Sequence, residues 1–209
     1  MADFQFEKRY LKLGYRKISG VDEAGRGALC GPVVAAAVIM PISAMRGKLS
    51  REVKEINDSK ALSPKKRRKL ALFIIHEALS VGIGLASNEE IDRENIFWAS
   101  LKAMKRAIQN LPIPPDFILV DGFNLRDIEY PHVCIPQGDS KSVSVAAASI
   151  IAKVFRDEIM ILLDKIYKGY ALARNKGYGT KEHYRSLREK GPTPLHRFSF
   201  NLGQKSNGS

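Results

Sequence analysis

Residues 33–40 read Val-Val-Ala-Ala-Ala-Val-Ile-Met, an unbroken apolar run. The run is too short to cross a bilayer. It reads instead as a central strand buried on both faces. Such a strand needs helices packed on each side of its sheet, and the rest of the chain supplies candidates. Tyr15–Val21, Val81–Ser87, Asp116–Val120 and Val133–Ile135 read as further strands. Ser63 is a good N-cap and Pro64 a good first residue for a helix over about 64–80. A second helix, about 89–110, is capped by Ser87 or Asn88 and ended by Pro112, Pro114 and Pro115. Ile91, Trp98, Leu101 and Ile108 give it an apolar face, so Trp98 and the phenylalanines are expected in the core. A long helix over about 143–168 begins with Ala146-Ala147-Ala148, which permits close packing on a sheet. A shorter helix falls near 180–190. Phe4, Tyr10 and Leu11 make residues 1–13 an amphipathic lead-in. The order predicts a mixed sheet with helices on its faces, and its one clear βαβα stretch lies in the second half. Gly82-x-Gly84 is no nucleotide fingerprint, because no phosphate-type glycine turn and helix follow it. There is no internal repeat, and only Gln204–Ser209 are expected to be disordered.

The 209 residues suit one domain, perhaps with a small appendage. Cys30 and Cys134 lie in apolar surroundings without metal-type spacing, which points to reduced thiols and a cytoplasmic protein. No signal peptide or membrane span is present in the sequence pattern. The net charge of +12 implies a polyanionic partner, nucleic acid first. From Lys165 to Ser209 ten Lys/Arg face two Asp/Glu, a local excess of +8. Lys60–Lys69 holds six basic residues and no acid.

Asp22 and Glu23 sit side by side where the first strand stops. Adjacent carboxylates there repel each other unless something cationic, typically a divalent metal, lies on them. Gly25 and Gly27 allow the following backbone close to a ligand, and Arg26 offers a planar fork to a phosphate or sugar edge. An acidic turn followed by a flexible loop would look the same. Asp121 ends another strand and Asp139 lies in a glycine loop. Asp121-Gly122 is also a common turn, and Asp139 could be an ordinary loop acid. Strand ends at one sheet edge bring such side chains together. Four carboxylates without nearby His or Cys would select Mg²⁺ or Mn²⁺ over zinc. Two such ions would activate a water and stabilise the leaving oxygen of a phosphodiester.

Several stretches together resemble ribonuclease HII. They are Gly20-Val-Asp-Glu-Ala-Gly-Arg-Gly27, Asn57-Asp-Ser-Lys60, Leu119-Val-Asp-Gly122, Gly138-Asp139 and Ala148–Asp157. Gly177-Tyr-Gly-Thr-Lys-Glu-His183 and Gly191-Pro-Thr-Pro-Leu-His196 extend the match in family order across about 15–200. The resemblance implies an α/β ribonuclease H-like fold: a five-stranded mixed sheet flanked by helices, with a small helical C-terminal part. The expected domain covers 13–205, with a sheet core to about 165 and a basic helical part over 166–205. Asp22, Glu23, Asp121 and Asp139 would be the catalytic, metal-binding acids for Mg²⁺ or Mn²⁺. The substrates would be RNA–DNA hybrids and duplex DNA with embedded ribonucleotides. Cleavage would fall 5′ of the ribonucleotide and leave 5′-phosphate and 3′-hydroxyl ends. Gly25, Arg26 and Gly27 match the loop that senses the 2′-OH, and Tyr178 matches the tyrosine at the RNA–DNA junction. The related type III enzymes carry an extra N-terminal DNA-binding domain, and none is expected here, since the first motif starts near residue 18.

Other residues keep two readings. Lys60 is a phosphate contact or a solvated lysine. Lys153 is a substrate contact or half of an i,i+4 ion pair with Asp157. Gly177-Tyr-Gly179 is a recognition turn or a turn with a packed aromatic. His183 and His196 are expected to be structural or phosphate-near rather than ligands, since nothing pairs either with a second metal-type histidine. A monomer is expected. A junction resolvase-like nuclease of the same fold would share the acids but not the Gly-Arg-Gly loop and Tyr178. A non-catalytic nucleic-acid-binding module would need only the basic tail, and four acids near phosphate argue against it.

Overall fold

The computed structural model describes residues 2–45, 50–57, 59 and 62–203. Lys60 and Gln204–Ser209, singled out above, lie outside them. The sheet has five strands: β1 (Ile18–Ala24), β2 (Val33–Ile39), β3 (Ser80–Ala86), β4 (Phe117–Asp121) and β5 (His132–Ile135). Their order is β3-β2-β1-β4-β5. β1 pairs antiparallel with β2, as β2 does with β3, whereas β1–β4 and β4–β5 are parallel. This is the five-stranded mixed sheet expected. The helices are α1 (Gln5–Lys12), α2 (Ile42–Met45), α3 (Arg51–Glu55), α4 (Pro64–Glu77), α5 (Asn88–Gln109), α6 (Val143–Ile166), α7 (Leu172–Asn175) and α8 (Lys181–Lys190). Among the described residues no helix is long and apolar enough to cross a membrane.

β2 is buried along its whole length, and the pleat divides it. Ala36 and Val38 pack into one core with α4 and α6, whereas Val33, Ala35, Ala37 and Ile39 pack into the other with α5. The glycines of β1 and β3 let the helices in. A Cβ on Gly20 would lie 2.1 Å from the Ser144 carbonyl carbon of α6. On Gly82 and Gly84 it would lie 2.1 and 2.3 Å from the Ala107 and Ala103 carbonyl oxygens of α5. Gly82-x-Gly84 is therefore a helix seat.

Local signals set the helix starts. Ser63 caps α4 through Lys66 N with Pro64 in the first turn. Ser87 caps α5 in a reciprocal capping box with Glu90. α5 is broken at Asn95 (φ 67°, ψ 165°), whose side chain accepts from Phe97 N and Trp98 N and so caps a second helical segment. The break turns Phe97 and Trp98 outward, 40% and 42% exposed, against the expectation that both are core.

Both ends of the described chain pack against the sheet domain. Packing begins before residue 13, since Ala2 and Phe4 are buried in the α4–α6 core. Glu7 Oε1 accepts from Ser142 Oγ and Ser144 N at the start of α6. The C-terminal part is also no loose appendage. Tyr170, Leu172, Leu187 and Leu202 share a core with Leu29 and Cys30. Asp92 of α5 accepts from Phe198 N and Ser199 N.

Candidate active site

Parallel pairing of β1 and β4 matches Val21 with Val120, so the next residues, Asp22 and Asp121, lie side by side on adjacent strands. β1 runs on to Ala24 rather than stopping at Val21, because its pairing with β2 continues to Ala24↔Val34. Asp22 and Glu23 thus leave the strand on opposite faces. After β5, Gly138 N donates to Asp121 Oδ1 at 2.6 Å, which pulls in the 3-10 turn Gly138–Ser140 and Asp139 with it. One carboxylate oxygen each of Asp22, Asp121 and Asp139 lies within 4.8 Å of the others.

Asp22 and Asp139 are buried. Burial first, then the charges of Glu23 and Asp121, push the Asp22 carboxyl well above the usual carboxylate range. Its bonds with the Ser149 hydroxyl and with Glu23 N oppose that rise. Burial also raises Glu23, against the lowering effect of Arg26. Glu23 Oε2 is buried without a hydrogen-bond partner. Three hard oxygen donors and an unpartnered carboxylate oxygen suit a divalent cation of the Mg²⁺ type.

Beside this cluster lies the loop 25–31. Gly25 has φ 97°, and a Cβ there would collide with Arg156 Nε at 1.9 Å. Gly27 has open space where its Cβ would be. Arg26 is exposed, 3.6 Å from Glu23 Oε1 and stacked over Phe123 at 4.5 Å. Its guanidinium is therefore shared between an acid and an aromatic ring.

Two buried arginines that sequence reasoning missed hold this loop. Arg197 donates to the Gly25, Arg26 and Gly31 carbonyls at 2.8–3.0 Å. Arg156 donates to Pro32, Lys176 and Cys30 carbonyls. Burial and the Arg156 charge pull the Arg197 guanidinium down to about 9. Arg156 carried the only signal, lying within a quoted motif, but its partners in the loop, Pro32 and Cys30, are over a hundred residues away.

Tyr178 lies next to the loop, since Leu29 N donates to Gly177 O and Ala28 bridges Tyr178. Its ring is half-buried, with Lys153 Nζ and the Arg156 guanidinium at 5.3 and 5.4 Å. Lys153 also pairs with Asp157 at 2.7 Å, the i,i+4 contact anticipated, and Asp157 faces Arg67 at 3.5 Å. The ion-pair reading of Lys153 thus has a geometric basis.

His183 and His196 are a pair, contrary to expectation, with Nε2 atoms 3.1 Å apart. Thr193 N donates to His196 Nδ1, so His196 carries its proton on Nε2 and donates to His183. His183 Nδ1–H then donates to Tyr178 O at 3.0 Å. Burial, then the neighbouring His183, lowers His196 to about 4, and burial lowers His183. The Cys30 thiol beside them is pushed up to about 11 by burial. This chain of neutral donors fixes the backbone under Tyr178.

The Ribonuclease HII family profile matches residues 19–202. This chain belongs to the ribonuclease HII family. A ribonuclease HII of Geobacter sulfurreducens is 46% identical over 199 residues, covering 95% of this chain and 88% of that one. A second, from Moorella thermoacetica, is 48% identical and covers 95% and 93%. The crystal structure of ribonuclease H2 from Pyrococcus horikoshii superposes with a TM-score of 0.73 at 26% identity, over 89% of this chain and 94% of that one. The chain is accordingly a ribonuclease H hydrolase, an endonuclease of a metal-dependent family that acts on RNA–DNA hybrids.

Proposed function

We propose that the chain hydrolyses the RNA strand of RNA–DNA hybrids and nicks duplex DNA 5′ of an embedded ribonucleotide. The products would carry 5′-phosphate and 3′-hydroxyl ends. Asp22, Asp121 and Asp139, with Glu23 beside them, would hold two Mg²⁺ or Mn²⁺ ions. The observation that carries this reading is the convergence of three carboxylates within 4.8 Å, next to a glycine loop with open space at Gly27. Divalent cations bound there would compensate the charge of the phosphate oxygens and make a nucleophile of water near neutral pH.

The remaining work belongs to the chain. Asp121 is kept from rotating by Gly138 N, and Asp22 by Glu23 N, so the donors keep one arrangement. The Gly25–Gly27 backbone, fixed from behind by Arg197, meets the ribose 2′-OH, the only group that separates the two sugars. Arg26 meets the adjoining phosphate from its seat on Phe123. Tyr178 offers its ring to the next sugar at the RNA–DNA junction. Lys153 stands beside that ring and would face the backbone phosphate. Cleavage of a duplex with one embedded ribonucleotide, with and without Mg²⁺ or Mn²⁺, tests this. Nicking at the 5′ side of that nucleotide only with metal is expected. Equal cleavage of an all-DNA duplex would overturn it.

A further inference from the structure

Phe97 and Trp98 start a line of rings and guanidinium groups that ends at the candidate active site. Arg26 stacks on Phe123 at 4.5 Å, and Phe123 meets Phe97 at 5.7 Å. Phe97 meets Trp98 edge-to-face at 5.2 Å, and Arg126 covers Trp98 at 5.3 Å. Beyond Trp98 lies a cavity of about 370 Å³ with Leu101, Lys105 and Arg126 in its walls. Its size falls in the range of small-ligand pockets. Of the charges there, Glu94 is taken by Lys102 at 2.6 Å and by Arg93. Lys105 and Arg126 form no ion pair among the described residues, and Asp127 adds one exposed acid.

A helix normally hides such aromatic side chains. Here Asn95 is held at φ 67° and spends its side chain capping the next turn. That strained backbone brings two large rings to the surface together. Strain of this kind persists where the surroundings enforce it, and it clusters at functional sites.

We propose that the Trp98–Arg126 groove takes an unpaired nucleobase from a single-stranded segment that continues out of the hybrid. The proposal rests on the reading of the acid cluster as the cleavage site, because the line of rings ends at Arg26, beside that cluster. An unpaired base has an open face for Trp98, and its phosphate suits Lys105 and Arg126. A base inside a duplex is already stacked, so it has no face to offer.

Trp98 is the chain's single tryptophan, so its emission reports on this groove alone. The protein is titrated in chelator, where no cleavage occurs, with a blunt hybrid. It is then titrated with the same hybrid carrying a short DNA extension at each of its four ends in turn. At least one extension should quench Trp98 and tighten binding by about fivefold or more, the scale of one stacked base. The blunt hybrid should leave the emission nearly unchanged. Trp98→Ala, followed by a labelled substrate, should lose the gain from the extension while cleaving the blunt hybrid at the original rate.

Equal quenching by the blunt hybrid would place the duplex itself in the groove and overturn the proposal. So would an unmoved emission with every extension, or a gain that survives Trp98→Ala. Cleavage of the blunt hybrid is followed separately with Mg²⁺. An unmoved emission with cleavage intact removes the groove alone. Quenching without cleavage removes the acid-cluster reading and leaves the groove.

Discussion

The acid cluster and the glycine loop beside it handle buried charge in opposite ways. Asp22 and Glu23 are buried next to Asp121, and Arg26 is the one cationic side chain paired with them among the described residues. Arg156 and Arg197 are also buried, but each spends its fork on main-chain carbonyls. The first region is strained by repulsion that an added cation relieves. In the second each guanidinium is matched by carbonyls of the chain itself, so its charge needs no ligand.

The strongest way to break this contrast is to remove charge from the first region. Asp121→Asn should lower cleavage by about 10³-fold, the scale of losing one preorganised charge, while hybrid binding holds or strengthens. Gel shift and cleavage on the same samples would show it, and a wild-type rate would mean that Asp121 holds no cation. Asp22→Asn should behave alike and should also raise the melting temperature of metal-free protein at neutral pH. The sign follows from its raised carboxyl: the ionised form is disfavoured in the fold, so stability falls as pH rises above the unfolded value near 3.8. Mg²⁺ should raise the wild-type melting temperature more than that of the variant.

Removing charge from the second region should do the reverse. Arg197→Met leaves buried carbonyls of Gly25, Arg26 and Gly31 unpaired and should cost about 3 kcal/mol or more. Arg197→Lys should recover little, since an ammonium cannot span three carbonyls as a planar fork does. Urea midpoints decide, and a loss under about 1 kcal/mol would mean that water takes over those bonds.

The histidine pair gives a smaller effect with a defined pH window. His196, near 4 in the fold against 6.5 unfolded, binds its proton less well when folded. Stability should therefore fall as pH drops from about 6.5 towards 4, by up to about 3 kcal/mol for that one group. His196→Asn should flatten that slope in thermal melts at several pH values. An unchanged slope would assign the acid sensitivity elsewhere.

Tyr178→Ala should give the smallest shift. Its cleavage rate on a single embedded ribonucleotide should fall about tenfold more than its rate on a continuous hybrid, a difference of about 1.4 kcal/mol. An unmoved ratio would take Tyr178 out of junction reading.

What the sequence showed and what it hid divide along the same line. The Asp121 strand end, the Ser63-Pro64 cap and the Ser87 cap are local signals, and each appears where local rules put it. Arg197 was counted as tail charge because a buried arginine and a solvated one are the same letter, and its partners lie 166–172 residues earlier. Trp98 was read as core because helical periodicity assumes an unbroken helix, and Asn95 breaks it. His183 and His196 looked unrelated because the turn that joins them is tertiary.

The Arg197 clamp also dictates a time order. A ribosome delivers about 5–20 residues per second, N-terminal part first. The sheet and the carboxylates of Asp22, Asp121 and Asp139 are all synthesised well before residue 197. Until that arginine emerges, the Gly25–Gly31 loop has its carbonyls in water and no fixed shape. A growing chain would thus possess its acids before the loop beside them is held in place, and one late guanidinium completes that hold.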